Sequence, residues 1–246
     1  LTSQPAEMRS VDLVTLAQGL ASEGEGALAT GGKLGRLIRA VDTFGFHLTT
    51  LDMRQNSAVH ERVIAELLKQ SGVNSDYLSL DEQERIELLR GELSTNRPLG
   101  SRFSPYSEET ASELAILEAA ADAHAKYGPA CITQYLISKA ESVSDMLEVA
   151  LLLKEVGLWR AGEGGATPTC SIMPVPLFET ITDLEAAPAI MTAYFALPEI
   201  GAIAKARGVV AKGPARRQRL RAGKLDVLVD QLRIARRGEH QIPGAT

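Results

Sequence analysis

Hydrophobic positions recur at helical spacing over most of this chain and at strand spacing in three short places. Residues 11–20 are apolar-periodic, the glycine-rich stretch from Gly24 to Gly32 breaks the pattern, and Leu34, Leu37, Ile38 and Val41 restart it. The next stretch, Phe44-Gly-Phe-His-Leu-Thr-Thr-Leu-Asp-Met-Arg-Gln-Asn-Ser57, opens on aromatic, aliphatic and β-branched residues and ends in a dense polar cluster. That pattern predicts a buried strand finishing in polar residues that a core strand would not need. Val59, Val63, Ile64, Leu67 and Leu68 then mark one face of a helix stopping near Gly72. Ser79-Leu-Asp-Glu82 reads as a capping box before Ile86, Leu88 and Leu89, and Arg97-Pro98-Leu99-Gly100 as a loop. A further helix is expected over residues 107–127, ended by Gly128-Pro129.

A second strand follows over residues 130–138, with Ser138-Lys139 as its polar end. Ser142 to Asp145 caps a strongly apolar helix over residues 146–156, closed by Gly157. Beyond a loop containing Gly162, Gly164, Gly165 and Pro168, residues 170–178 form a third apolar stretch that meets Glu179-Thr180, and Thr182 to Glu185 looks like a helix start. Three strands, each ending in polar residues and each followed by helix, predict parallel pairing through helical crossovers. Three strands cannot close a barrel. The expected fold is therefore α/β and helix-rich: a partial β/α barrel, an arc of parallel strands with helical insertions, whose open edges would be a liability alone.

On an extended chain Asp52 and Arg54 share a face, which puts an anion and a cation at a strand's C-terminal rim, where α/β folds build ligand sites. Arg54 can grip an anion or simply pair with Asp52, and Glu179 can be a ligand or a helix-start charge. His47 falls on the opposite face and reads as a packed strand histidine; His60 and His124 sit on helices without a metal partner at helical spacing. Cys131 and Cys170 stand alone in apolar runs, excluding a disulfide framework or a paired zinc site. The glycines at 162–165 precede a strand and make a poor phosphate cradle.

With 45% hydrophobic residues in 246, the chain can bury a sizeable core, and its net charge of −5 gives no reason to expect nucleic acid or an acidic membrane. The longest aliphatic run is far too short to span a bilayer, so a cytoplasmic location is expected by default. Residue 1 is Leu, which suggests a piece of something longer. From Val210 onward basic residues, Arg216, Arg217, Arg219 and Arg221 among them, outnumber Asp226, Asp230 and Glu239. No aromatics interleave them to stack bases, so a solvated basic helix or a stretch foreign to the parent fold is the plainer reading.

The stretch from Phe44 to Ser57 closely resembles phosphoenolpyruvate carboxylases. So do Arg97-Pro98-Leu99, Tyr135 to Asp145 with Leu151 to Glu155, Val175-Pro-Leu-Phe-Glu-Thr180 with Asp183-Leu184, Ala196 to Ile200, and Lys205-Ala-Arg-Gly208. The resemblance covers roughly residues 10–208. It implies a cytoplasmic, homotetrameric enzyme with a β-barrel core that uses Mg2+ or Mn2+, takes phosphoenolpyruvate and bicarbonate to oxaloacetate and phosphate, and feeds the citric acid cycle. By position, Arg54 matches a substrate-site arginine, with Asp52 orienting it, and Glu179 matches a carboxylate that helps hold the divalent metal. The implied reaction has bicarbonate attack phosphorus, giving carboxyphosphate and the enolate of pyruvate, which then captures carbon dioxide.

The same comparison implies losses. In the family Lys-Ala-Arg-Gly runs on into a Tyr-Ser-Asp-Ser segment with a second metal carboxylate; here Gly208 leads to Val-Val-Ala-Lys-Gly-Pro-Ala-Arg-Arg. An upstream histidine and a downstream glycine-rich loop are also missing. Residues 1–208 thus read as a partial barrel region and 209–246 as a divergent basic tail, out of frame or disordered. The chain alone is expected to be an incomplete, inactive fragment. The alternative reading is a non-catalytic helical interaction protein docking through that tail. Lys139, where the family is usually apolar, puts burial of the second strand's end in question.

Overall fold

The computed structural model describes residues 6–207 apart from Phe46, Arg102 and Glu163; the tail from residue 209 lies outside the described residues. Strands β1 (Leu51–Asn56), β2 (Ile132–Ser138) and β5 (Met173–Leu177) form one sheet in that order, and both pairings are parallel. Between β1 and β2 run α4 (Ser57–Gln70), α5 (Glu82–Leu93) and α6 (Glu108–Tyr127). Between β2 and β5 run α7 (Val143–Glu155) and a small antiparallel pair, β3 (Trp159–Arg160) with β4 (Thr169–Cys170). Helices α1 (Ala6–Ser22), α2 (Gly26–Gly31) and α3 (Lys33–Phe44) precede the sheet, and α8 (Ile181–Ala196) and α9 (Pro198–Ala206) follow it. The arc of parallel strands with helical insertions is as the sequence predicts.

One face of the sheet is buried and the other is open. Tyr135 and Ile137 of β2 point into the core against α4 and α7. Alternation and register place Asp52 and Arg54 of β1 on the other face, beside Gln134 and Leu136 of β2. Apolar burial is therefore concentrated on the helix side.

Helix α7 is the centre of that core. From Val143 to Lys154 nearly every residue is buried, including Leu147, Leu151 and Leu153, as expected of a helix apolar on all sides. It packs against α4, α5, α6, α8 and all three long strands' sheet through β2 and β5. Both ends are sealed. Ser142 and Asp145 form a capping box, and the Glu82 carboxylate accepts from the Val143 and Ser144 backbone N–H groups at 3.0 Å each. At the other end Gly157 takes φ 75, while its N–H donates to Lys154 O and the Leu158 N–H to Leu153 O, a pattern that needs a left-handed residue. The same closure recurs after α4 at Gly72.

Buried polar groups are tied between elements. Lys154 Nζ donates to Glu92 O at 2.8 Å, and Tyr77 Oη donates to Glu148 Oε1 at 2.8 Å. Burial raises the Glu148 carboxyl well above its ordinary range. His60 is fully buried with Nε2 at 3.1 Å from Tyr135 Oη, and burial lowers its pKa to about 4.

Several boundaries depart from the sequence expectation. The aromatic opening of the Phe44–Ser57 stretch is not strand: Phe44 closes α3, Gly45 at φ 57 ends that helix, and residues 47–50 turn, with Leu48 at φ 67. The strand begins only at Leu51, so His47 lies in a turn rather than on a strand face. The third apolar stretch is split. The Ser171 N–H donates to Leu158 O and Arg207 Nη1 donates to Cys170 O at 2.6 Å, so these groups are committed away from the ladder and β5 starts at Met173. Pro174 and Pro176, which have no N–H, fit because β5 is an edge strand among the described residues.

The break at residues 24–32 contains α2, with Gly24 and Gly32 interrupting the helix on either side. Two capping boxes shift by two residues. Asp81 caps α5 with Glu84, while Ser79 Oγ donates to Asp76 O, and Thr180 caps α8 with Asp183. Gly162, Gly164 and Gly165 lie between the strands of the β3–β4 hairpin, where a side chain on Gly162 would collide with the Ala166 carbonyl. Lys139 is not in the strand: it follows β2 in the left-handed region at φ 54, so it leaves burial of β2 intact.

Two predictions follow from this core. Leu151→Ala removes a side chain enclosed on every side and is expected to cost about 2–5 kcal/mol in urea unfolding; a loss under about 1 kcal/mol would show that α7 is not central. Because His60 is neutral when folded but binds a proton near pH 6.5 when unfolded, its contribution is present above about pH 6.5 and lost as pH falls towards about 4. The loss is on the order of 3 kcal/mol. His60→Gln is expected to flatten the stability profile across that window, measured by urea midpoints at several pH values.

Candidate functional site at the carboxyl rim of the sheet

The C-terminal ends of β1, β2 and β5 bring three polar side chains together. Arg54 leaves the open face of β1, Ser138 ends β2, and Glu179 follows β5 by two residues. Arg54 Nε donates to Ser138 Oγ at 2.8 Å, and Arg54 Nη2 lies 3.5 Å from Glu179 Oε1. The side chains of Arg54 and Glu179 are 60% and 36% exposed. An ion pair this open contributes about 0–1 kcal/mol to stability, so the fold does not require it. Asp52 lies two residues before Arg54, exposed on the same face and opposite Gln134 in register.

The rim is held from behind. Glu113 of α6 is buried and accepts from Gln55 Nε2 at 2.7 Å; Gln55 Oε1 in turn accepts from the Asn56 N–H at 2.9 Å. Asn56 Oδ1 then caps α4 by accepting from the Ala58 N–H at 3.0 Å. Ser57 Oγ donates to Lys139 O at 2.7 Å, joining the turn after β1 to the turn after β2. These supports were not legible as such in the sequence. Gln55 and Ser57 belong to the polar cluster noted there, but their partners Glu113 and Lys139 are 58 and 82 residues away in the chain.

The chemistry available is anion binding by a planar guanidinium beside a hard carboxylate. Magnesium takes one or two protein carboxylates and completes its octahedron with water and substrate oxygens, so Glu179 fits as one such ligand. Among the described residues no three His, Cys, Asp or Glu side chains gather into a metal-binding group.

Other candidates have structural roles. His124 Nε2 lies 2.7 Å from Ile132 O. Both cysteines are free and buried, and burial pushes the Cys170 thiol up to about 12, which makes it a poor nucleophile at neutral pH. A separate cleft of about 450 Å³ opens between the N-termini of α4 and α7, lined by Ser57, Glu61, Glu82, Arg85, Lys139 and Asp145, among others. Most of its charges are spent: Arg85 on Glu61, Glu82 on α7, and Asp145 on the backbone before that helix. No single helix among the described residues is long and apolar enough to cross a membrane. Docking through Arg216 to Arg221, the alternative reading, falls outside the described residues.

Comparison with known proteins places the chain in a family. The family model described as phosphoenolpyruvate carboxylase matches residues 3–219, past Gly208. A phosphoenolpyruvate carboxylase of Azorhizobium caulinodans is 52% identical over 197 residues, 80% of this chain and 20% of that protein. One from Aromatoleum aromaticum is 52% identical over 187 residues, covering 76% and 20%, and one from Mycobacterium avium is 50% identical over 204, covering 83% and 21%. The chain spans about one fifth of the length of the curated relatives it matches. With half of its residues shared across that stretch and the family pattern running through nearly all of the described fold, this chain belongs to the phosphoenolpyruvate carboxylase family.

Proposed function

We propose that this chain supplies one wall of a site where phosphoenolpyruvate is carboxylated with bicarbonate to give oxaloacetate and phosphate. The observation that carries the reading is the approach of Arg54, on β1, and Glu179, just beyond β5, to 3.5 Å at the sheet's carboxyl rim. Neither is needed by the core, and they match the family's substrate arginine and metal carboxylate.

Arg54 grips the substrate's phosphate or carboxylate oxygens through its fork and cannot lose its proton at working pH. As bicarbonate oxygen bonds to phosphorus and the bond to the enol oxygen breaks, negative charge grows on the phosphoryl and enolate oxygens. A guanidinium already fixed beside them stabilises that charge without reorganising. Asp52 orients Arg54 from the same strand face. Glu179 contributes one ligand to Mg2+ or Mn2+, which when bound supplies further charge stabilisation as a Lewis acid. One arginine and one carboxylate do not make a complete shell, so the chain by itself is an incomplete catalyst. The homotetrameric assembly, cytoplasmic location and supply of the citric acid cycle belong to the same proposal, for the full-length protein.

Two measurements test this. Arg54→Gln is expected to weaken phosphoenolpyruvate binding about tenfold or more, by calorimetry, since a charge-assisted contact is worth about 1.5–3 kcal/mol. In parallel the chain is expected to bind Mn2+ weakly and Glu179→Ala to abolish that binding, both followed by electron paramagnetic resonance. Unchanged binding in both variants would overturn the site. A coupled assay of the purified chain is expected to yield no oxaloacetate from phosphoenolpyruvate and bicarbonate; measurable turnover would show that the shell is complete after all.

A further inference from the structure

We infer that Ser138 is a further positioning residue for Arg54, fixing the orientation of its guanidinium so that the outer fork, rather than the Nε edge, meets the anion. The inference rests on the reading of Arg54 as the substrate arginine. Ser138 is the last residue of the middle strand, paired in register with Asn56 of β1 and Leu177 of β5. Its backbone is therefore held from both sides, while its hydroxyl stands between the two strands that carry Arg54 and Glu179.

Geometry decides what that hydroxyl does. An arginine has one N–H on Nε and four on its two terminal nitrogens, all in one plane. Accepting the Nε–H at 2.8 Å uses the single inner donor and sets the plane's rotation. The Nη2 contact to Glu179, at 3.5 Å, is too long for a good hydrogen bond and too exposed to hold the group alone. Ser138 is thus the closer partner, at 2.8 Å against 3.5 Å for Glu179, and its bond to Nε leaves the terminal nitrogens for a bidentate grip on phosphate or carboxylate. A long side chain that is 60% exposed would otherwise lose considerable rotamer freedom on binding, and prior fixation lowers that cost.

The sequence marks Ser138 only as the polar end of a strand. What singles it out is the hydroxyl's contact with a side chain 84 residues earlier in the chain.

The test uses the full chain with Ser138→Ala and Ser138→Thr. Hydrogen exchange at Arg54 Nε is read by nitrogen-15 NMR, with the resonance assigned by its loss in Arg54→Gln. Protection is expected in the parent and in Ser138→Thr and is expected to be lost in Ser138→Ala, while the thermal midpoints stay alike. Phosphoenolpyruvate affinity is expected to fall about fivefold in Ser138→Ala and to recover within about twofold in Ser138→Thr. Equal Nε protection in Ser138→Ala and the parent overturns the positioning role whatever the ligand does. If protection is lost as expected but Arg54→Gln binds phosphoenolpyruvate as the parent does, the assignment of Arg54 to the substrate fails instead, and Ser138 remains a positioning residue for a group of other use.

Discussion

Burial of α7 is the constraint from which the rest of the arrangement follows. A helix apolar around its circumference has no face to give to water, so it must be enclosed, and α4, α5, α6, α8 and the helix side of the sheet do the enclosing. Its polar ends are the only parts that reach outward. The amino end is closed twice, by its own Ser142–Asp145 box and by Glu82 from α5, which ties the insertion between β1 and β2 to the crossover between β2 and β5. The helical insertion is therefore part of the core rather than a surface addition.

Because the helices take one face of the sheet, the other is left for side chains that do not contribute to folding. Tyr135 and Ile137 are committed inward, and Arg54 and Ser138 emerge on the opposite side. The parallel arrangement sends all three strand ends to one rim, so residues far apart in sequence meet there without any strain in the strands themselves. Behind that rim the buried Glu113, Gln55 and the Asn56 cap form a continuous chain of hydrogen bonds from α6 to the start of α4. Such a chain fixes where β1 ends, and hence where Arg54 projects, at positions that never touch a ligand.

The open face and the outer edges explain why so much apolar surface remains wet. Leu48, Leu51 and Ile181 are exposed at 74%, 60% and 78%, all close to strand ends. A chain spanning one fifth of its relatives carries an arc of a sheet, and an arc leaves edges. Pro174 and Pro176 reduce the hydrogen-bonding capacity of β5 itself, which fits a strand with one described neighbour.

Local sequence determined the parts with local causes. Helix periodicity in α4, the Ser142 cap and the Gly72 and Gly157 stops all came from contacts within a few residues, and so were legible in order along the chain. The parallel pairing of the strands and the placing of Arg54 and Glu179 at strand ends were legible too, from hydrophobic pattern and alternation, while their roles came through family resemblance alone. What the sequence misread has non-local causes. Phe44 has strong strand preference but closes a helix, because Gly45 stops α3 and the ladder with β2 begins only at Leu51. The stretch after Thr169 looks like one strand but is divided, because Leu158 and Arg207 claim its backbone groups from elsewhere. Only the tertiary structure could bring Ser138 to Arg54 and Glu113 to Gln55, since a hydrogen bond between residues 84 or 58 positions apart is set by sheet register and helix packing and leaves no periodicity in the chain.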